Sequence, residues 1–382
     1  MSTDGRGHPG SASHGPGPED GDTAPERTLA LGRKGTTAFT PAACGPMWIR
    51  LYRNGRPDGT ADTPGQAREA LSEHGDRMAW IALVDPDEDR LTELARVFGL
   101  PPLALEDAVV AHQRPKAELY RDVLFTVLRP AGYDEDAEEV RVGEVHVFVG
   151  DDFAITISHT GRLDLSAVRR RLEGEPRLLA CGPLAVLYAV LDTAVDAYAP
   201  VVAALQEDVD ELENAVFAGE RGTSRRAYRL AREVILLQRA VDPLGQVLAE
   251  LMSRARESEG LRPGGPRPQG GAGAREYLYG HLRDAADHEA LVRERVDGLR
   301  QLLQNIMSVN GTLVGQAQNE AMKKVSSWGG ILVVPTLIAS IYGMNIPPPP
   351  GEDWVFSWPL ILLLMGLSGL CLYLVFRRNG WL

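Results

Sequence analysis

Short apolar runs alternate with helical patterns between residues 47 and 182. Runs rich in β-branched and aromatic residues predict five strands, at residues 47–52, 78–84, 123–128, 144–149 and 153–158. After the second run, Asp85 is placed to cap a helix that begins at Pro86. Glu88 completes a capping box and Gly99 marks the helix end. The alternation predicts an α/β domain over residues 47–182.

The strand signal disappears after this domain, and two long helical stretches follow, separated near residues 219–223. They predict a helical hairpin over residues 183–257. Residues 258–275 are rich in Gly and Pro and too poor in apolar residues to form a core, so they predict a connector. Residues 1–46 are rich in Gly, Pro, Ser, Asp and Thr, and they predict a disordered tail without a secretory signal.

Apolar residues recur at alternating steps of four and three along the predicted stalk helix at residues 276–324. The seam comprises Leu278, Leu282, Ala285, Val292, Val296, Leu299, Leu303, Ile306, Leu313 and Ala317, with Glu289 and Asn310 at its two polar positions. This heptad-like pattern has two interpretations, self-association with copies of the chain or packing on the chain's own domain. Self-association is favoured, because a helix of about 100 Å is longer than any single domain of this size.

Two apolar segments follow, at residues 325–342 and 355–376. Each is long enough to cross roughly 30 Å of bilayer hydrocarbon, so together they predict a transmembrane hairpin. Two helices alone cannot enclose a water-filled path without exposing polar groups to lipid. Conduction through this hairpin would therefore require several subunits, with residues 325–342 lining the axis.

Basic residues flank the hairpin on one side only. The four are Lys323, Lys324, Arg377 and Arg378. The loop at residues 343–354 instead carries Glu352 and Asp353, with no Lys or Arg. By the positive-inside rule, both ends of the chain, including the basic tail at residues 377–382, are predicted to be cytoplasmic. The two acidic residues then lie at the outer mouth.

If the stalk pairs with its copies, its seam is expected to continue into the first transmembrane helix. The inward positions on that continuation are Asn319, Met322, Val325, Gly329, Val333, Thr336 and Asn345. The stripe carries neutral oxygens and no carboxylate, which suits Mg²⁺ because this ion retains its water shell. Met322 and Val325 predict constrictions that close by dewetting. The alternative is that Asn345 caps the helix end and Thr336 bonds to its own backbone.

Composition and motifs narrow the function classes. The formal net charge of −12 argues against a nucleic-acid binder. Cys44, Cys181 and Cys371 form no CxxC pair, so neither a disulfide framework nor a thiolate zinc site is indicated. The sequence contains no GxSxG, HExxH or phosphate-loop motif and no dinucleotide-binding fingerprint in a strand–turn–helix context, so no enzyme activity or organic cofactor is predicted. A membrane-anchored sensor or enzyme without a pore is the alternative from another class.

The run Tyr342, Gly343, Met344 and Asn345, at the outer end of the first transmembrane helix, resembles the signature of the CorA magnesium transporter family. Further similar runs lie at residues 105–107, 112–116, 283–288, 319–323, 335–339 and 377–382. The resemblance implies a funnel-shaped homopentamer in the cell membrane. Each subunit would have an α/β cytosolic domain, a long helical stalk and a C-terminal two-helix transmembrane hairpin.

The resemblance also implies roles for individual residues. Gly343, Met344 and Asn345 would form the selectivity filter, with the asparagines as the selecting ring. Asp107 and Asp284, with Glu106 close by, would hold a regulatory Mg²⁺ between neighbouring cytosolic domains, since a divalent ion turns repulsion between carboxylates into attraction.

Spacing alone leaves other interpretations open for the residues around Asp284. The run at residues 283–288 also fits a solvated helix face with internal ion pairs. Asp284 and His288 lie one helical turn apart, so they also fit a transition-metal pair. For the transported ion, a zinc, cobalt or nickel pathway on the same scaffold is the alternative to magnesium.

Overall fold

A computed structural model describes residues 46–111, 113–159, 163–256, 271–344 and 357–382. The predicted N-terminal tail, up to residue 45, and most of the predicted connector lie outside these residues. Nine strands are present in the described ranges: β1 (Met47–Arg53), β2 (Arg56–Ala61), β3 (Arg77–Val84), β4 (Lys116–Tyr120), β5 (Val123–Leu128), β6 (Ala131–Asp134), β7 (Glu139–Val142), β8 (Glu144–Val149) and β9 (Phe153–His159).

The helices of the N-terminal half are short, and those of the C-terminal half are long. In chain order they are α1 (Pro64–Glu73), α2 (Glu88–Phe98), α3 (Pro102–Val110), α4 (Leu165–Glu173), α5 (Pro176–Leu179), α6 (Pro183–Asp196), α7 (Tyr198–Phe217), α8 (Thr223–Val241), α9 (Leu244–Arg256), α10 (Gly271–Tyr342) and α11 (Ser357–Arg378). Because α10 begins at Gly271, the last residues of the predicted connector are helical.

Seven strands form one mixed sheet in the order β2-β1-β3-β9-β8-β5-β4, in which only β3 and β9 pair in parallel. Strands β6 and β7 form a separate hairpin. The α/β prediction is confirmed, and the five predicted strands correspond to β1, β3, β5, β8 and β9. Every residue of the central strands β5 and β8 is buried and most are apolar, because both faces of the sheet are covered.

The two faces of the sheet bury different cores. Alternate residues of β8 show this, since Val147 faces the core shared with α4 and α6–α10, whereas Phe148 faces the core shared with α1–α3. The apolar side of α3 and the seam of α10 therefore lie on opposite sides of the sheet.

The predicted capping residue of α2 is wrong. Asp87 caps this helix, with its carboxylate accepting a hydrogen bond from the Arg90 N–H at 2.9 Å. Asp85 instead lies in the bend directly after β3, where its φ is positive (43°) and its N–H donates to the Ser158 carbonyl at 3.0 Å. The predicted end is confirmed, since Gly99 terminates the helix in the left-handed conformation.

The stalk and the first apolar segment are one helix, as predicted. Helix α10 has 72 residues, about 108 Å at 1.5 Å per residue. The seam from Leu278 to Ile306, however, is buried against α6–α9 of the same chain. The preference for self-association along this part of the seam is therefore wrong, because packing on the chain's own domain already covers it.

Three helices in the described residues are long and apolar enough to cross a bilayer, by length and composition. The first is the continuous stretch formed by α6 and α7, Pro183–Phe217. It has 72% of its apolar window buried inside the domain, so it belongs to the core. The membrane part of α10 and helix α11 are each only 6% buried over the corresponding windows. These two form an antiparallel hairpin, in which a Cβ built on Gly330 would lie 3.5 Å from the Phe376 ring and one built on Gly369 would lie 3.8 Å from Pro335.

Candidate functional site

The residues predicted to line an ion path share one exposed face of α10. They are Asn319, Met322, Val325, Gly329, Val333 and Thr336. Helix α11 contacts α10 on another side, at Gly330 and Pro335. Ser327, one turn before Gly330 on that side, is 0% exposed, whereas Val325 is 68% exposed. Within one chain, the described residues leave the stripe uncovered.

The stripe does not continue the stalk seam, so that prediction is wrong. At about 100° per residue, the side chains of Ile306 and Met322 point about 160° apart around the helix axis, which is nearly opposite. The side of α10 that contacts α11 lies much closer to the line of the seam. One long side of α10 is thus occupied by the chain's own domain and then by α11. The predicted stripe lies on the opposite side, which is free to meet other copies of the chain.

Thr336 makes the backbone contact that was considered as the alternative. Its hydroxyl donates to the Leu332 carbonyl at 2.7 Å. This bond uses the hydroxyl proton and leaves lone pairs of the oxygen available as acceptors. Water bound to a divalent ion presents hydrogens outward, so such an oxygen can accept from it. Thr336 and Ser340 lie in a shallow groove of about 340 Å³ with Leu332, Val333 and Leu337.

The predicted filter motif begins where α10 ends. The Gly343 N–H donates to the Ala339 carbonyl at 2.9 Å, and the Met344 N–H donates to the Ile341 carbonyl at 3.3 Å. These bonds close the last turn of the helix, and the Met344 side chain is exposed. Asn345, Glu352 and Asp353 lie outside the described residues.

Asp107 and Glu106 lie on α3, at the face of the domain opposite α10. The Asp107 carboxylate accepts a hydrogen bond from the Lys116 ammonium at 2.8 Å, and Glu118 shares the same ammonium at 2.8 Å. Partial burial lowers the pKa of Lys116, but the bonds to Asp107 and Glu118 outweigh it and leave this pKa raised. Glu106 is exposed. A divalent ion at Asp107 would therefore compete with Lys116.

Asp284 is exposed and lies on the rim of a cleft of about 230 Å³ between α4, α6 and α10. Asp192 lies inside the cleft, where Arg171 donates to it at 2.6 Å. Burial raises the pKa of Asp192, an effect that Arg171 opposes. Asp196 pairs with Arg171 at 3.5 Å and with His288 at 3.6 Å. The cleft that Asp284 borders thus contains two further carboxylates and one guanidinium.

The structure separates the two predicted regulatory carboxylates within a chain. Asp107 is on α3, whose apolar side belongs to one core, and Asp284 is on α10, whose seam belongs to the other. Among the described residues, no three His, Cys, Asp or Glu side chains are grouped to hold a metal ion. The transition-metal pair formed by Asp284 and His288 thus lacks a third ligand from the described part of its own chain.

Comparison with known proteins assigns the family. The family model described as "CorA-like Mg2+ transporter protein" matches residues 75–378, which is most of the chain. The chain belongs to this family. The predicted resemblance to CorA is confirmed, and the chain is a membrane-embedded transporter of Mg²⁺ and related divalent cations rather than an enzyme.

Relatives across distant organisms are similar over most of their length. The cobalt/magnesium transport protein CorA of Thermotoga maritima is 26% identical over 77% of this chain and 80% of its own. The magnesium transport protein CorA of Escherichia coli is 25% identical over 79% of this chain and 92% of its own. The complete structure of the CorA magnesium transporter from Methanocaldococcus jannaschii has a TM-score of 0.67 at 19% identity, covering 88% of this chain and 98% of that one.

Sequence reasoning missed the side chains that surround the predicted sites of this CorA-like protein. They are Lys116 beside Asp107, and Arg171, Asp192 and Asp196 beside Asp284. One signal was present, since Asp192 and Asp196 interrupt the otherwise apolar helix α6 at a spacing of one turn. The contribution of Arg171 comes from α4 and had no local signal.

Proposed function

We propose that the protein is a passive Mg²⁺ channel, formed by several copies whose α10 helices surround a central axis. The observation that carries this proposal is the exposed stripe of α10, opposite the side that contacts the chain's own domain and α11. Other copies are the natural cover for that stripe, and its Asn and Thr oxygens then face a central path. Following the resemblance to CorA, the assembly is a funnel-shaped homopentamer.

Ion selection takes place at the outer end of the path. Gly343, Met344 and Asn345 form the filter, where a ring of Asn345 amide oxygens accepts hydrogen bonds from water bound to Mg²⁺. Glu352 and Asp353 at the outer mouth raise the local concentration of cations. Thr336 provides a second ring of acceptor oxygens midway. Apolar rings of Met322 and Val325 close the inner part by dewetting.

Internal Mg²⁺ regulates the channel at the boundary between cytosolic domains. Asp107 and Asp284 lie on opposite sides of one chain's sheet, so they meet only if they come from neighbouring subunits. A divalent ion bound by Asp107 of one subunit, supported by Glu106, and by Asp284 of the next holds the closed arrangement. When internal Mg²⁺ falls, the carboxylates repel each other and the contact loosens.

The channel lies in the cell membrane with both chain ends in the cytoplasm. The four basic residues at 323, 324, 377 and 378 stay on the cytoplasmic side, whereas the acidic loop is outside. A divalent ion gains about 4.6 kcal/mol on entering across 100 mV, at about 2.3 kcal/mol per charge. This gain drives uptake without another energy source.

Flux into proteoliposomes tests the filter. Mg²⁺, Co²⁺ and Zn²⁺ uptake is compared for the native chain, for Asn345→Ala and for the matched control Asn305→Ala, an exposed amide on the cytosolic part of α10. We expect Asn345→Ala to lose the preference for Mg²⁺ while the control keeps it. Unchanged selectivity in Asn345→Ala would remove this residue from the mechanism.

Inhibition by internal Mg²⁺ tests the regulatory site. Asp284→Asn should raise the Mg²⁺ concentration needed for closure, whereas Asp287→Asn, an exposed carboxylate next to it on α10, should leave that concentration unchanged. Equal shifts in both variants would indicate a general loss of surface charge and contradict a specific site at Asp284.

One alternative makes a different prediction in the same flux experiment. A Co²⁺, Ni²⁺ or Zn²⁺ transporter on this scaffold would carry these ions in preference to Mg²⁺. The membrane-anchored sensor or enzyme without a pore is not supported, because the chain belongs to a transporter family. Magnesium is favoured because the described part of the stripe offers neutral oxygens and no imidazole, thiolate or carboxylate.

A further inference from the structure

Four exposed basic side chains lie where the transmembrane hairpin meets the stalk. They are Lys323 and Lys324 on α10, and Arg377 and Arg378 on α11. In the described part of the chain, none of the four forms an ion pair, although many of the other basic residues of this acidic protein do. The membrane boundary of each subunit therefore carries four positive charges that are available to an anion.

The end of α11 is tightly built, which holds Arg377 and Arg378 in place. Gly380 adopts a positive φ of 68°, and its N–H donates to the Arg377 carbonyl at 3.2 Å. The Trp381 N–H donates to the Phe376 carbonyl at 2.9 Å, and the two rings stack with centroids 5.7 Å apart. This hydrogen-bond pattern is a Schellman motif with its usual apolar contact. Trp381 is half exposed, as suits an interfacial aromatic residue.

A close helix contact brings the lysines and arginines to one region. A Cβ built on Gly330 would lie in van der Waals contact with the Phe376 ring, at 3.5 Å, so α11 packs against α10 here. Lys323 lies two helical turns before Gly330 on the same side of α10, the side that contacts α11. Arg377 and Arg378 follow Phe376 directly.

The outer side of α11 carries an apolar groove that ends at one of these arginines. It has a volume of about 280 Å³ and is lined by Leu367, Leu370, Cys371, Leu374, Val375 and Arg378. These positions follow one another at steps of three, one, three, one and three residues, so they lie along one side of the helix. That side is turned away from α10, because Gly369 and Phe376 make the contacts with α10.

We propose that this groove binds an anionic phospholipid, with an acyl chain along the groove and the phosphate at Arg378. From Leu367 to Arg378 the helix rises about 16 Å, which is close to half of the roughly 30 Å hydrocarbon core. The groove therefore spans one leaflet and ends in a cation at headgroup depth. Arg377, Lys323 and Lys324 add positive potential at that depth.

The combination of an apolar groove and a terminal arginine favours a phospholipid over a free phosphate ion or a protein segment. A free phosphate would bind the arginine but leave the apolar groove empty. An apolar helix of another protein would fill the groove but supply no anion to the basic residues. The proposal needs the hairpin to lie in a membrane but does not require that the protein conducts ions. A failure to conduct ions would therefore contradict the proposed function alone, and a failure to bind lipid would contradict the lipid site alone.

Lipid binding by the full-length protein in detergent tests the proposal. Native mass spectrometry counts bound phosphatidylglycerol and phosphatidylcholine as each is titrated. The variants are Arg378→Gln, the charge-keeping Arg378→Lys, and Arg225→Gln, which removes one exposed arginine from the cytosolic helix α8. A parallel titration contains inorganic phosphate as competitor.

We expect the native protein to prefer phosphatidylglycerol and Arg378→Gln to bind it about fivefold more weakly, the effect of about one basic side chain at the membrane surface. Arg378→Lys should keep most of the affinity, and Arg225→Gln should bind as the native chain does. Equal binding of the two lipids, native affinity in Arg378→Gln, or displacement by inorganic phosphate would each overturn the proposal. If Arg378→Gln misfolds, weak binding by a folded Arg378→Lys would overturn it equally.

Discussion

The two parts of α10 before and after Asn310 have different surroundings although they are one continuous helix. Before Asn310 the apolar seam is buried against α6–α9, and Leu303 is 1% exposed. After Asn310 only the side towards α11 is covered, and Val333 is 62% exposed. The difference teaches that a helical period identifies an apolar side, whereas the nature of its partner depends on the rest of the fold.

The boundary between the two parts is marked by a buried polar contact. The Asn310 amide donates to the Ser224 hydroxyl at 2.7 Å, and the Thr223 hydroxyl donates to the Asn310 oxygen at 3.3 Å. Both partners lie at the start of α8. This is the last buried contact between the N-terminal domain and the stalk, and from residue 311 almost every side chain before the membrane segment is exposed.

Truncation in the buried part should have the largest effect on stability. Leu303→Ala is expected to reduce the free energy of unfolding by about 3 kcal/mol, because it removes packed side-chain volume from the core. Val314→Ala, on an exposed position after the boundary, should change it by less than about 0.5 kcal/mol. Denaturant or thermal unfolding in detergent measures both. Equal losses would mean that the two parts are not differently supported.

Gly329 and Gly330 are adjacent in the membrane part of α10 but lie on different sides of the helix, and only Gly330 lies next to α11. Gly330→Leu should destabilise the hairpin by about 2 kcal/mol, since the new side chain would meet the Phe376 ring. A Cβ built on Gly329 would meet no atom within 4 Å, so Gly329→Leu should leave the unfolding midpoint of the protein nearly unchanged. In the proposed channel it should nevertheless reduce flux by roughly tenfold by narrowing the path. Normal flux in Gly329→Leu would place this side of α10 away from the axis.

Removing the boundary contact should have an intermediate effect. Asn310→Ala is expected to cost about 1.5 kcal/mol in stability, because it deletes two hydrogen bonds and leaves the Thr223 and Ser224 hydroxyls with fewer partners. Asn305→Ala, an exposed amide in the same part of the helix, is the matched control. Comparable stability of the two variants would show that the contact does not anchor the stalk.

The smallest effect on stability is expected at Glu289, the charged residue in the buried seam of α10. Burial raises the pKa of Glu289 above its usual 4.5, an effect that Arg293 opposes. The folded state therefore binds the proton more tightly, and stability falls as pH rises through the raised pKa. Glu289→Gln should then add about 1 kcal/mol at pH 7 and much less at pH 4.5. An unfolding series at both pH values checks this, and a loss at pH 7 would contradict it.

Local sequence patterns predicted those parts of the fold that depend only on the residues of a single segment. Strands β5 and β8 were predicted at their observed bounds, since Val, Leu and Phe dominate both segments. Strand β2 was missed because it is an exposed edge that contains Pro57 and Gly59, residues that disfavour strands. The cap at Asp85 failed because the bend after β3 includes Asp85 and the helix begins only at Glu88, where Asp87 is the capping residue.

The sequence by itself determined the membrane hairpin, its basic side and the continuity of the stalk with the first membrane segment, because length, hydropathy and charge are properties of single segments. Only the tertiary structure decided which side of α10 is covered within the chain. It also decided that Asp107 and Asp284 lie on opposite sides of one sheet, since such placement depends on contacts between residues distant in sequence. Periodicity carries no information about those contacts.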